Sequence, residues 1–129
     1  MKEVVGHIIE AKRRGFAGRI RTLLDQDSPR FAAWDQRAVA AARGDCGRGA
    51  GEVLGEYLAQ RESSVRLVAG LGPDQLDRSG EHERVGRLSV RDLMHEWIHH
   101  DRNHLRQLLA NTQAYVWPSM RNAQLFSAD

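Results

Sequence analysis

The chain has 129 residues, with 19 Lys and Arg against 17 Asp and Glu and a single cysteine; this predicts one domain over residues 1–129. A net charge of +2, with arginines scattered among acids, argues against a nucleic-acid track despite a pI near 9.1, and the lone Cys46 excludes intramolecular disulfides and thiolate zinc sites. No apolar run approaches the roughly 20 residues of a membrane helix, and the N-terminus carries acids and a histidine where an export signal would be apolar, so the expectation is a cytoplasmic protein off the membrane.

Apolar residues at Val4, Val5, Ile8, Ile9, Phe16, Ile20, Leu23 and Leu24 recur with helical spacing and predict a first helix over residues 2–24. The breaker cluster in "DQDSPRFAAWDQ" offers Ser28 as N-cap and Pro29 as first helical residue of a second helix reaching alanines 38–42. "RGDCGRGAG" predicts a flexible loop; lacking GK[ST], it is no phosphate cradle. Leu54, Tyr57, Leu58, Val65, Val68 and Leu71 predict a third helix ending at "GLGP". Residues 72–88 predict loop, with one helical turn after Pro73. Ser89 with Asp92 forms a capping-box pattern opening a last helix that runs to about Trp117, before Pro118. No segment predicts a β-strand. The class is all-α, an antiparallel helical bundle.

Four of the six histidines lie in "MHEWIHHDRNH". At roughly 100° per residue, His100 and His104 flank the stripe formed by Val90, Leu93, Met94, Trp97, Leu105, Leu108 and Tyr115, whereas His95 and His99 project with Arg91, Arg102 and Arg106 towards solvent. An inward i, i+4 pair can reach one metal ion; it can equally be two histidines hydrogen-bonded at the edge of a core. "HDRNH" carries no glutamate base of the HExxH kind. Among possible third ligands, His82 in the charged "SGEHERVG" reads as a surface residue. His7 lies on a helix edge with Ala11 and Gly18, a seam across which it reaches a neighbour or, on the same projection, stays partly exposed.

"VVGHIIEAKRRGFAGRI", "LDRSGEHERVGRLSVRDL", "WIHHDRNHLRQL" and "YVWPSMRNAQLF" together resemble the DinB/YfiT-like proteins, especially the second DinB-like subgroup, over nearly the whole chain. The resemblance implies a four-helix bundle, often dimeric, with a divalent metal held by one histidine of the second helix and an HxxxH pair of the fourth, here His7, His100 and His104. It also implies relatives that transfer low-molecular-weight thiols such as bacillithiol or mycothiol, with isomerases beside them. Only six residues precede His7, so the family's first helix is expected to be missing or truncated. An apolar groove should then lie open, and a homodimer is the expected way to cover it.

Three neutral imidazoles leave a coordination position open on zinc, the first expectation, or on nickel or manganese. The leading functional expectation is a metal-dependent transferase acting on a small thiol and an electrophile. The alternatives are a metal-dependent hydrolase, a non-catalytic metal-binding or ligand-sensing helical dimer, and a dimer whose histidines only pack. No catalytic acid or base stands out. Glu3 and Glu10 are the carboxylates near His7; Asp101 and Glu10 are candidates to orient ligand histidines, although Asp101 fits an ion pair with an arginine of another helix equally well. Arg14, on the His7 side, is a candidate for holding an anionic cosubstrate.

Overall fold

The computed structural model describes residues 1–127. A continuous helical rod forms its axis: α1 (Lys2–Glu10), a π-helical stretch (Ala11–Phe16) and α2 (Ala17–Asp25). Around it lie α3 (Gln36–Arg43), α4 (Ala50–Ala69) and α5 (Val90–Val116). The first segment packs against α3, α4 and α5, and α2 packs against α5. The all-α bundle expected from the sequence is therefore present, and no helix among the described residues is long and apolar enough to cross a membrane.

Two expectations are corrected. Ser28 does not cap a helix: it sits at φ 48°, and Pro29 leads into strand β1 (Arg30–Phe31). The second helix starts only at Gln36, capped by Asp35, whose Oδ1 accepts from the Arg37 and Ala38 amides. The segment expected to be loop contains β2 (Ser79–His82) and β3 (Gly86–Ser89) as well as the expected turn at Pro73–Gln75. β1 pairs parallel with β2, and β2 antiparallel with β3. A Cβ on Gly80 would come within 2.4 Å of the Pro29 carbonyl oxygen, so only glycine lets β1 approach this closely. The hairpin ends at Ser89, which caps α5 with the predicted box: Ser89 Oγ accepts from the Asp92 amide, and Asp92 accepts from that of Ser89. A small sheet thus aims the helix that carries the histidines.

The core collects Phe16, Ala17, Ile20 and Leu23 from the rod, Phe31 from β1, and Val90, Leu93 and Trp97 from α5. At the other end the "RGDCGRGAG" loop is held by charge. Arg43 donates to Glu10, Asp45 and Glu56, and Arg48 donates to Asp45, Glu52 and Glu56. A Cβ on Gly6 would fall 1.7 Å from Asp45 Oδ2, so α1 accepts this loop only where it has no side chain. Beyond the core, Leu54, Leu58 and Val65 of α4 and Ile98, Leu105 and Leu109 of α5 are each more than half exposed. They flank a groove in which two cavities, each about 340 Å³, meet at Asp101. Leu105 and Tyr115, placed on the inward stripe by projection, are exposed because nothing among the described residues packs there.

Candidate metal centre

His100 and His104 stand one turn apart on α5, and His7 faces them from α1. His7 Nε2 lies 3.1 Å from His100 Nε2, and one ring nitrogen from each of the three histidines lies within 4.8 Å of the others. Two nitrogens bound tetrahedrally at zinc–nitrogen distances would be about 3.3 Å apart, a spacing that the observed separations bracket.

The surroundings also suit ligation. Gln107 presents its carbonyl oxygen 3.0 Å from His104 Nδ1; Nδ1–H then donates, and Nε2 keeps its lone pair. His100 Nδ1 faces Asp101 Oδ1 at 3.7 Å, and both atoms are buried without a hydrogen-bond partner. Asp101 Oδ2 accepts from Lys12 Nζ at 2.6 Å. Burial alone would raise the Asp101 carboxyl, but His100 and Lys12 outweigh it and hold the group below its ordinary range, so an anion stands behind a candidate ligand. His7 is pushed down from 6.5 to about 4, first by burial and then by the charges of His104 and His100. It is therefore a neutral imidazole at neutral pH, the form that binds metal.

The other sequence candidates lie elsewhere. Both Glu10 oxygens are occupied, Oε1 by Arg13 and Arg43 and Oε2 by Arg14. Arg14 is thereby engaged with Glu10. Asp101 pairs with a lysine, with Arg61 only at 4.0 Å. His95 and His99 are exposed and border the cavity beside the triad without joining it.

That cavity, of about 800 Å³, opens from His7 and His100 and extends along the rod past Ala11, Gly15 and Phe16 to Arg19 and His82. His82, read from sequence as a surface residue, is instead 8% exposed, because the β1–β2 pairing covers it. The π-helical stretch explains why one face of the rod lines so long a cavity. His7, Ala11, Gly15 and Arg19 step by four; in a plain α-helix each step drifts about 40°, leaving Arg19 some 120° from His7. One extra residue in the wider turn cancels about 100° of that drift. Neither feature is visible in hydrophobic periodicity, although the four-residue spacing of these small and polar residues is a readable trace.

A family model described as the DinB superfamily matches residues 1–108. The chain belongs to the DinB superfamily. The DinB match spans the three histidines, the residues lining the cavity and both strands of the hairpin. No curated protein matches the chain in a sequence search.

Proposed function

We propose that this DinB protein is a metal-dependent transferase that presents a low-molecular-weight thiol to an electrophile, with zinc on His7, His100 and His104. The observation that carries the proposal is an all-histidine site beside a cavity, with Glu10 held by three arginines and Asp101 by Lys12. A divalent ion in such a site supplies a positive charge that lowers the pKa of a thiol placed against it. The protein's own part is positional. Gln107 orients His104, the Asp101 carboxylate lies behind His100, burial keeps His7 neutral, and Phe16, stacked on Trp97 with centroids 5.4 Å apart, backs His100 with an apolar wall. Hydrolysis would need a base to take a proton from water, and Glu10 and Asp101 are held by Arg13, Arg14, Arg43 and Lys12. A thiol, with an ordinary pKa near 8.5, needs far less help. We further propose that a second copy of the chain covers the α4–α5 groove: its apolar rows on two helices can face their own twofold mates.

The test is a screen of bacillithiol, mycothiol, glutathione and cysteine against a chromogenic aryl halide, with metal-loaded and His104→Ala proteins side by side. Conjugation that requires both metal and His104 supports the reading. Equal rates in the two proteins refute it, and ester or amide hydrolysis without thiol turnover replaces it with a hydrolase.

A further inference from the structure

The far end of the cavity holds two groups that the reading above does not use. His82 Nδ1 lies 3.2 Å from the backbone N–H of Arg84 and can only accept there. A neutral imidazole carries one proton, so that proton is on Nε2. Nε2 lies 3.0 Å from Nη2 of Arg19, and a guanidinium has no acceptor. Two donors therefore face each other, one of them on a side chain more than nine-tenths buried.

Arg19 has little else to satisfy it. Nη2 donates to the Ala32 carbonyl at 3.2 Å, and the guanidinium lies over the Phe31 ring at 5.7 Å. Arg43 and Arg48, also withdrawn from solvent, each hold a carboxylate; Arg19 has none among the described residues. Burial consequently pushes it below its ordinary value with no anion to offset the effect.

We infer that Arg19 and His82 form the binding site for a carboxylate at the end of a ligand whose other end reaches the three histidines. One carboxylate oxygen between Nε2–H of His82 and Nη2–H of Arg19 turns the opposed donors into a bridged pair. The charge favours a monoanion: there is one guanidinium, and Asp92 and Glu96 border the same cavity, so a phosphate dianion is disfavoured. Phe16 sets the length. Its ring is 5.2 Å from that of His100, and Arg19 follows one turn later, which puts the two ends on the order of 10 Å apart. Between them Gly15 is buried, yet a Cβ added there would meet nothing within 4 Å, so the floor leaves room for a ligand backbone. The identity of the histidine end rests on the thiol reading; the carboxylate end does not.

The test is calorimetric titration of the zinc-loaded protein with 8-mercaptooctanoate, whose span is about 10 Å, against 8-mercaptooctan-1-ol, with octanoate as a thiol-free arm. The acid should bind at least tenfold more tightly than the alcohol. That preference should fall to near unity in Arg19→Met, fall severalfold in His82→Phe, and recover in part in Arg19→Lys. Metal stoichiometry and affinity for the alcohol, which also report folding, should stay unchanged. Octanoate binding that requires Arg19, with no gain from the thiol, keeps the anchor and refutes the thiol reading. Equal affinity for acid and alcohol in the unaltered protein overturns the anchor and leaves the thiol reading standing. An acid preference that survives in Arg19→Met and Arg19→Lys also overturns it.

Discussion

Asp101→Asn should destabilise the metal-free protein more than Lys12→Met does. The ion pair is unequal: the Lys12 side chain is 0% exposed and that of Asp101 27%. Removing the carboxylate charge leaves an ammonium inside the fold whose other neighbours are ring faces, Tyr57 at 5.1 Å and Trp97 at 6.0 Å. An uncompensated buried charge of this kind costs about 3 kcal/mol, whereas ring faces return only about 1 kcal/mol. Removing the lysine leaves a carboxylate that still reaches water, with Arg61 at 4.0 Å, at a cost of about 1 kcal/mol. Urea unfolding at pH 7 should therefore show Asp101→Asn losing about 2 kcal/mol, about 1 kcal/mol more than Lys12→Met, with a fall in Tm of roughly 10 °C for Asp101→Asn. Lys12→Met/Asp101→Asn should recover most of the loss. Equal losses in the two single variants, or no recovery in the double variant, would refute the account of Lys12 as a charge held in the core by one partner.

Three further outcomes are expected. His100→Ala or His104→Ala should abolish stoichiometric metal binding and His7→Ala should weaken it severely, while His95→Ala/His99→Ala leaves it intact; metal analysis of protein purified without chelator or His-tag decides. The depressed His7 pKa makes the unfolded chain take up a proton before the folded one. Its contribution to stability is thus complete above about 6.5 and lost as pH falls towards about 4. Partial exposure keeps that loss below about 3 kcal/mol, and His7→Gln should shrink the drop in urea midpoint between pH 7 and pH 4.5. Light scattering at micromolar concentration should give twice the chain mass, and Leu58→Glu with Leu105→Glu should give the single mass; an unaltered chain that stays single and binds no apolar dye would sink the proposed dimer.

How much of this was legible in the sequence depended on whether the signal was local. The box Ser89–Asp92 is a contact over three residues, and His100 and His104 are joined by one helical turn, so periodicity alone placed them. Ser28 and Pro29 mimic a helix start, but pairing with Glu81, some fifty residues away, claims that backbone instead. β2 and β3, "SGEH" and "GRLS", carry no alternating apolar pattern; they exist because their edges meet each other and β1. His82 reads as a surface residue for the same reason, since its burial is produced by strands the sequence does not announce. The convergence of His7 on the α5 pair required the family resemblance, and Arg19 required the hydrogen-bond register of the rod.

The π-helical stretch makes one residue of the rod redundant for the phase of everything that follows it. Deleting Gly15 would keep every histidine and arginine and restore an uninterrupted α-helix, a locally more regular structure. Arg19 would then follow His7 by eleven plain α-helical residues, about 20° round the axis, and would stay on the cavity face, whereas the same deletion in the α-helical turns on either side, with the π stretch intact, would turn it away by about 100°. A library of single-residue deletions between His7 and Arg19 would read this directly: tolerance should be highest inside Ala11–Phe16 and fall in the α-helical turns on either side.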